Sequence, residues 1–168
     1  MNRRPRGTLV VAFVVTTIAA ATPVVQQSHR VVLTKAGFGL TVSRSELLID
    51  PVSQHKLVQS HRVDTATSTD TVFRRVEEHV YNQSESRAGA SRYRGTSVWI
   101  LAGDDRLQIS YSGATIPSES KAPETVVDSG TFVVTGGAGR LARAQGGGSY
   151  RGFASGAVRE RIVLDIRY

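Results

Sequence analysis

The sequence predicts an all-β domain, an antiparallel closed barrel of about eight strands, on three observations. Short runs alternate apolar and polar side chains with period two, clusters of Gly, Asp, Ser and Pro separate them, and no long stretch carries helical periodicity. Strands so spaced either stack as a sandwich or close as a barrel. The tripeptide Tyr-Arg-Gly occurs at Tyr93 to Gly95 and again at Tyr150 to Gly152, each time leading into a strand. Glycine permits the sharp bends of barrel corners, so this repeat favours closure, as do the mixed faces of several strands.

The chain has 168 residues, room for one ordinary domain. Residues 1–21 read as a cleaved signal peptide: Arg3, Arg4 and Arg6 precede the apolar run "TLVVAFVVTTIAAA", which ends in small side chains with cleavage after Ala21. That run is well short of the roughly 20 apolar residues that cross a bilayer, which argues against a stable membrane anchor and for a secreted or extracytoplasmic protein. Residues 22–30, "TPVVQQSHR", read as a polar linker, and the barrel domain is expected over 31–168. Strands are expected at Gly39 to Leu48, His55 to Val63, Thr71 to Tyr81, Thr96 to Ala102, Arg106 to Ala114, Ser129 to Thr135, Ser149 to Ala154 and Ala157 to Tyr168. "AGDDRL" supplies the turn chemistry of a tight hairpin, and "SGATIPSESKAPET" a longer loop with two prolines.

Composition excludes several function classes. Loss of the signal lowers the formal charge from +7 to +4, because three arginines leave and no acid does. The remaining Arg residues are interspersed with acids, as in "FRRVEEH", which fits a solvated surface and not a nucleic-acid groove. The absence of cysteine removes disulfides, thiolate metal sites and a cysteine nucleophile. His29, His55, His61 and His79 have no ligand spacing, so no metal is inferred. No serine sits in a G-x-S-x-G elbow.

Gly137-Ala138-Gly139-Arg140-Leu141-Ala142 matches the dinucleotide fingerprint G-x-G-x-x-A and follows an apolar strand. A Rossmann site also needs a long helix after the turn and further parallel strands. Here "RLARAQ" is cut off by Gly146-Gly147-Gly148, and little chain remains. No Gly-Lys-Ser/Thr follows, which excludes a P-loop, and no cofactor is expected. Gly136, Gly137 and Gly139 are instead expected to shape a bulged or wide turn and a close backbone approach.

The stretch "GTFVVTGGAGRLARAQGGGSYRG" resembles a segment of the dirigent proteins and the wider allene oxide cyclase-like barrels. Gly130, Phe132, Val134, Gly136, Gly137, Gly139, Ala144 and Gly146 carry the resemblance; Ala138 and Leu141 depart from it, where Thr and Phe are usual. The resemblance spans residues 129 to 152 and implies an eight-stranded antiparallel barrel with an interior cavity, often assembled as a homo-oligomer. It further implies a small, largely apolar molecule as partner, whose cyclisation or coupling the barrel directs in the manner of an isomerase. No catalytic residue of the family falls within the matching segment.

The remaining candidates come from strand phase. In "AVRERIVLDIRY", Glu160 shares a face with Val158, Ile162, Leu164 and Ile166. It is either a wet rim acid or a catalytic pocket carboxylate whose pKa burial raises, with Arg74 or Tyr111 as partner. In "TVFRRVEEHVY", Arg74 and Glu78 share the face of Val72, Val76 and Val80, and form either a pocket ion pair or part of a solvent-facing charge ladder. Trp99 and Tyr111 lie in apolar strands and serve core packing or line a ligand cavity. A cavity distinguishes a ligand-binding barrel from an exported structural domain with a filled interior.

Overall fold

The computed structural model describes residues 28–37, 39–117, 126–155 and 157–168. The expected signal peptide, most of the expected linker and much of the proline-containing loop lie outside the described residues. Strands run over Ser28–Ala36 (β1), Leu40–Asp50 (β2), His55–Thr67 (β3), Arg75–Arg87 (β4), Ala90–Ile100 (β5), Arg106–Pro117 (β6), Val126–Ala138 (β7), Gln145–Ser155 (β8) and Ala157–Arg167 (β9).

The protein is all-β. Its strands form one antiparallel nine-stranded sheet in the order β1-β9-β8-β7-β6-β5-β4-β3-β2, and β1 pairs again with β3 at Thr34↔Thr67 and Lys35↔Ala66. That pairing closes a ring of every strand except β2, as the sequence leads one to expect. β2 follows β1 along the same edge of β3 and leaves the ring, with Leu40, Val42 and Leu47 exposed. β1 was not anticipated, and its first residue, Ser28, falls within the stretch read as linker.

Alternation decides which side chains enter the ring. On β9 Ile162, Leu164 and Ile166 are buried while Arg161, Asp165 and Arg167 face solvent. On β1 Val31, Leu33 and Lys35 point inward. One end of the barrel is packed solid. The Asp70 carboxylate accepts hydrogen bonds from the backbone N–H groups of Val72 and Phe73 at 2.9 and 3.0 Å, and so turns Phe73, fully buried, into the core with Leu33, Val76, Leu107 and Leu141. This turn corrects the strand expected from Thr71: the ladder begins at Arg75, so residues before it do not share the strand's phase.

The Tyr-Arg-Gly copies are not corners. Both lie inside strands, β5 and β8, where they direct tyrosines into the barrel. The hairpin bends lie elsewhere, at Ala88–Gly89 between β4 and β5, with φ of 50° and 81°, and at Gly103 between β5 and β6, with φ of 75°.

The glycine-rich turn works through its backbone. Between Gln108↔Gly136 and Ile109↔Val134 the β6–β7 register slips, leaving Thr135 as a bulge. A Cβ on Gly137 would overlap the Leu141 carbonyl oxygen, and Gly139 holds φ of 65°. A single 3₁₀ turn follows, Gly139–Leu141, in place of a helix. The Arg140 N–H that would greet a phosphate donates instead to the Asp105 carboxylate at 2.7 Å, and the Arg140 Nε does so at the same distance. A carboxylate in that place repels a phosphate.

Candidate functional site

Beyond the packed end the ring encloses a cavity of about 190 Å³. Each strand descends into it by alternate residues. Val80, Trp99, Ile109, Phe132 and Ile162 bound it toward the core, while Ser84, Ser91, Thr115 and Asp128 lie farther along their strands, away from that core. Tyr93, Tyr111 and Tyr150 line the volume between. Small residues make space for them: a Cβ on Gly113 would overlap the Tyr150 hydroxyl and one on Gly130 its ring.

Lys35 organises one wall. Its Nζ donates to Glu78 Oε2 at 2.7 Å and to Asp64 Oδ2 at 3.1 Å, and stands 3.6 Å from Glu160 Oε1. Strand register explains the gathering, because Lys35 pairs directly with Glu160 on β9 while Asp64 pairs with Glu78 across β3 and β4. Glu78 Oε1 accepts a second hydrogen bond, from Trp99 Nε1 at 2.9 Å. Burial disfavours the Lys35 charge, but Glu78, Glu160 and Asp64 outweigh it and hold the ammonium above the usual lysine range. Burial drives Glu160 the other way for a carboxylate, above its usual range; Lys35 opposes that shift, and the charges of Glu78, Asp128 and Asp64 add to it.

A second polar group lies nearby. The Tyr93 hydroxyl donates to Asp128 Oδ1, and the Tyr150 hydroxyl donates to that of Tyr93 at 3.0 Å. Burial raises Asp128 above the carboxylate range despite the Tyr93 hydrogen bond. Burial likewise raises Tyr93, and its hydrogen bond to Asp128 adds to the shift, so both tyrosines remain neutral donors at physiological pH. Burial thus favours the protonated form of Glu160 and of Asp128, the form able to donate to an oxygen of a guest.

The expected site residues divide clearly. Glu160, Glu78, Trp99 and Tyr111 all line the cavity. Tyr111 donates to the Tyr81 carbonyl and to Asn82 Oδ1, each at 3.2 Å. Arg74 is exposed, because it precedes the ladder, and the partner of Glu160 is Lys35 in place of Arg74 or Tyr111. Gly136, Gly137 and Gly139 shape the turn after β7 and do not line the cavity. Sequence reading missed Lys35, Asp64, Asp128, Tyr93 and Tyr150. Lys35, Asp64 and Asp128 carried a signal, a charged residue in the inward phase of a strand.

Fold and site together define an antiparallel β-barrel with an aromatic, acid-rich interior cavity. No protein-family model matches the chain, and no curated protein sequence does. Among solved structures, a pterocarpan synthase dirigent protein aligns at a TM-score of 0.47 and 11% identity, over 92% of this chain and 99% of that one. Among the described residues no helix is long and apolar enough to cross a membrane, and no group of three or more His, Cys, Asp or Glu is placed to hold a metal ion.

Proposed function

We propose that this protein is an exported barrel that takes a small, largely apolar molecule into its interior and directs that molecule's cyclisation or coupling. The observation that carries the reading is the interior volume lined by Trp99, Phe132 and the tyrosines, with Glu160 and Asp128 at its wall. A barrel serving only as a structural module would be expected to fill that space with side chains. In the proposed reaction the rings hold the guest in a folded conformation, which converts an encounter between its reacting ends into an intramolecular one. The Tyr93 and Tyr150 hydroxyls orient an oxygen of the guest, and the Glu160 carboxyl group, at the cavity wall beside Lys35, exchanges a proton with the guest as the ring closes. Export is supported by the arginines and apolar run of residues 1–21.

Native mass spectrometry of protein purified from its own producer tests the reading. A retained small molecule, displaced when Trp99 or Tyr111 is replaced by Ala, is the expected result. Empty protein, together with no binding across a screen of apolar carbonyl and hydroxyl compounds, would overturn it.

A further inference from the structure

We infer that the cavity selects a protonated amine borne on an aromatic body, with Asp128 and Glu160 as its counter-charges and the Ser97 hydroxyl as a hydrogen-bond partner near the packed end. The inference rests on the ligand-binding reading above and names the chemical class of the guest.

Charge balance is the first ground. The cations at this wall are already matched: Lys35 lies 2.7 Å from Glu78 and 3.1 Å from Asp64, and Arg62 is 3.2 Å from Asp64. Glu160, at 3.6 Å, has the longest of the Lys35 contacts, and among the described residues Asp128 has no ion-pair partner, only the neutral Tyr93 hydroxyl as side-chain donor. Asp128 and Glu160 are therefore the acids least compensated by the protein's own cations. These residues flank one position, since Asp128 pairs with Gly152 across β7 and β8 and Gly152 pairs with Glu160 across β8 and β9. Gly152 puts no side chain between them, and both acids line the cavity.

The aromatic lining is the second ground. Tyr93, Tyr111, Tyr150 and Trp99 border the same volume, and aromatic faces attract a desolvated ammonium. A neutral guest would leave the acids buried and uncompensated, or protonated, whereas an ammonium lets both ionise.

Ser97 is the third and independent ground. It is 1% exposed, lines the cavity, and its Oγ has no hydrogen-bond partner among the described residues. A buried hydroxyl in that state takes its partner from an ordered water or from a guest atom.

Calorimetric titration with tyramine and with its neutral isostere 4-(2-hydroxyethyl)phenol tests the assignment. Tyramine is expected to bind roughly tenfold or more tightly than the alcohol. Asp128→Asn and Glu160→Gln should each reduce that preference by roughly threefold or more. Ser97→Ala should weaken tyramine more than phenethylamine, which lacks the ring hydroxyl. Equal or tighter binding of the alcohol, no binding of either probe, or a preference unchanged in both acid variants would overturn the inference. The wild-type comparison decides alone should a variant fail to fold. Alcohol binding without amine preference removes the amine and leaves the ligand-binding reading standing, which the mass-spectrometric search judges separately.

Discussion

Tyr150 hydrogen-bonds to Tyr93, hydroxyl to hydroxyl at 3.0 Å, from 57 residues away in sequence. Between their strands lie β6 and β7, whose inward glycines at 113 and 130 let the rings reach across. Tyr93 passes the chain of donors on to Asp128.

Tyr93→Phe keeps the ring and removes the hydroxyl that donates to Asp128 and accepts from Tyr150. We expect a loss of roughly 1–3 kcal/mol, since a buried acceptor is left unsatisfied, measured as a lowered urea midpoint at unchanged m-value. A midpoint equal to wild type would show that the hydroxyl carries no weight.

Lys35→Met leaves Glu78 and Glu160 without their cation and Asp64 with Arg62 alone. Removing one partner of a buried ionic group costs about 3–5 kcal/mol, so this variant should be the least stable of the single substitutions named here. Arg74→Ala, at an exposed site off the ladder, should stay within about 0.5 kcal/mol of wild type. Denaturant unfolding compares the two directly, and similar losses would contradict the placement of both residues.

Glu160 predicts a pH dependence with a definite sign. Its folded-state pKa lies above the ordinary value of 4.5, so the native state binds the proton more tightly than the unfolded chain. The resulting stabilisation is present below the ordinary value and is lost as pH rises through the raised one. Glu160→Gln lacks this term, so the variant should gain on wild type as pH rises from the ordinary value of 4.5. Parallel stability curves above that value would place the carboxylate in water.

Gly137→Ala and Gly136→Ala separate two neighbours. A Cβ at 137 meets the Leu141 backbone oxygen, whereas one at 136 meets only the end of the Gln108 side chain at 3.0 Å. The first should destabilise by roughly 1–3 kcal/mol and the second by less than about 1 kcal/mol. Thermal melting of both, with no response of either to added nucleotide, is the expected outcome.

The antiparallel barrel was legible because β9, β6 and β3 alternate cleanly enough to reveal an inner face. Glu160 stood out as an acid in the apolar phase, and it does line the interior. Lys35 carries the same signal, in phase with Val31 and Leu33, but a reading that starts the domain at Val31 without a first strand gives it no phase. Arg74 misled for the converse reason: Asp70 bends the chain just before the ladder, and alternation cannot be extrapolated through a turn. The convergence of Tyr93, Tyr150 and Asp128 depends on register across several strands, which no local pattern encodes. The glycine turn was readable as backbone geometry, yet the Asp105 carboxylate that occupies the Arg140 amide lies too far away in sequence to be paired with it by inspection.

The strand pairing that closes the barrel, Thr34↔Thr67 and Lys35↔Ala66, is short, and Lys35 is also the hub of the interior charges. Any opening of that clasp would therefore wet the ammonium and its carboxylates as it widened the bore. Water rewards the charges in the loosened form, and burial with close pairing rewards them in the shut one. Shape and electrostatics would thus yield together, because the closure of the ring and the pairing of its interior charges rest on the same residue.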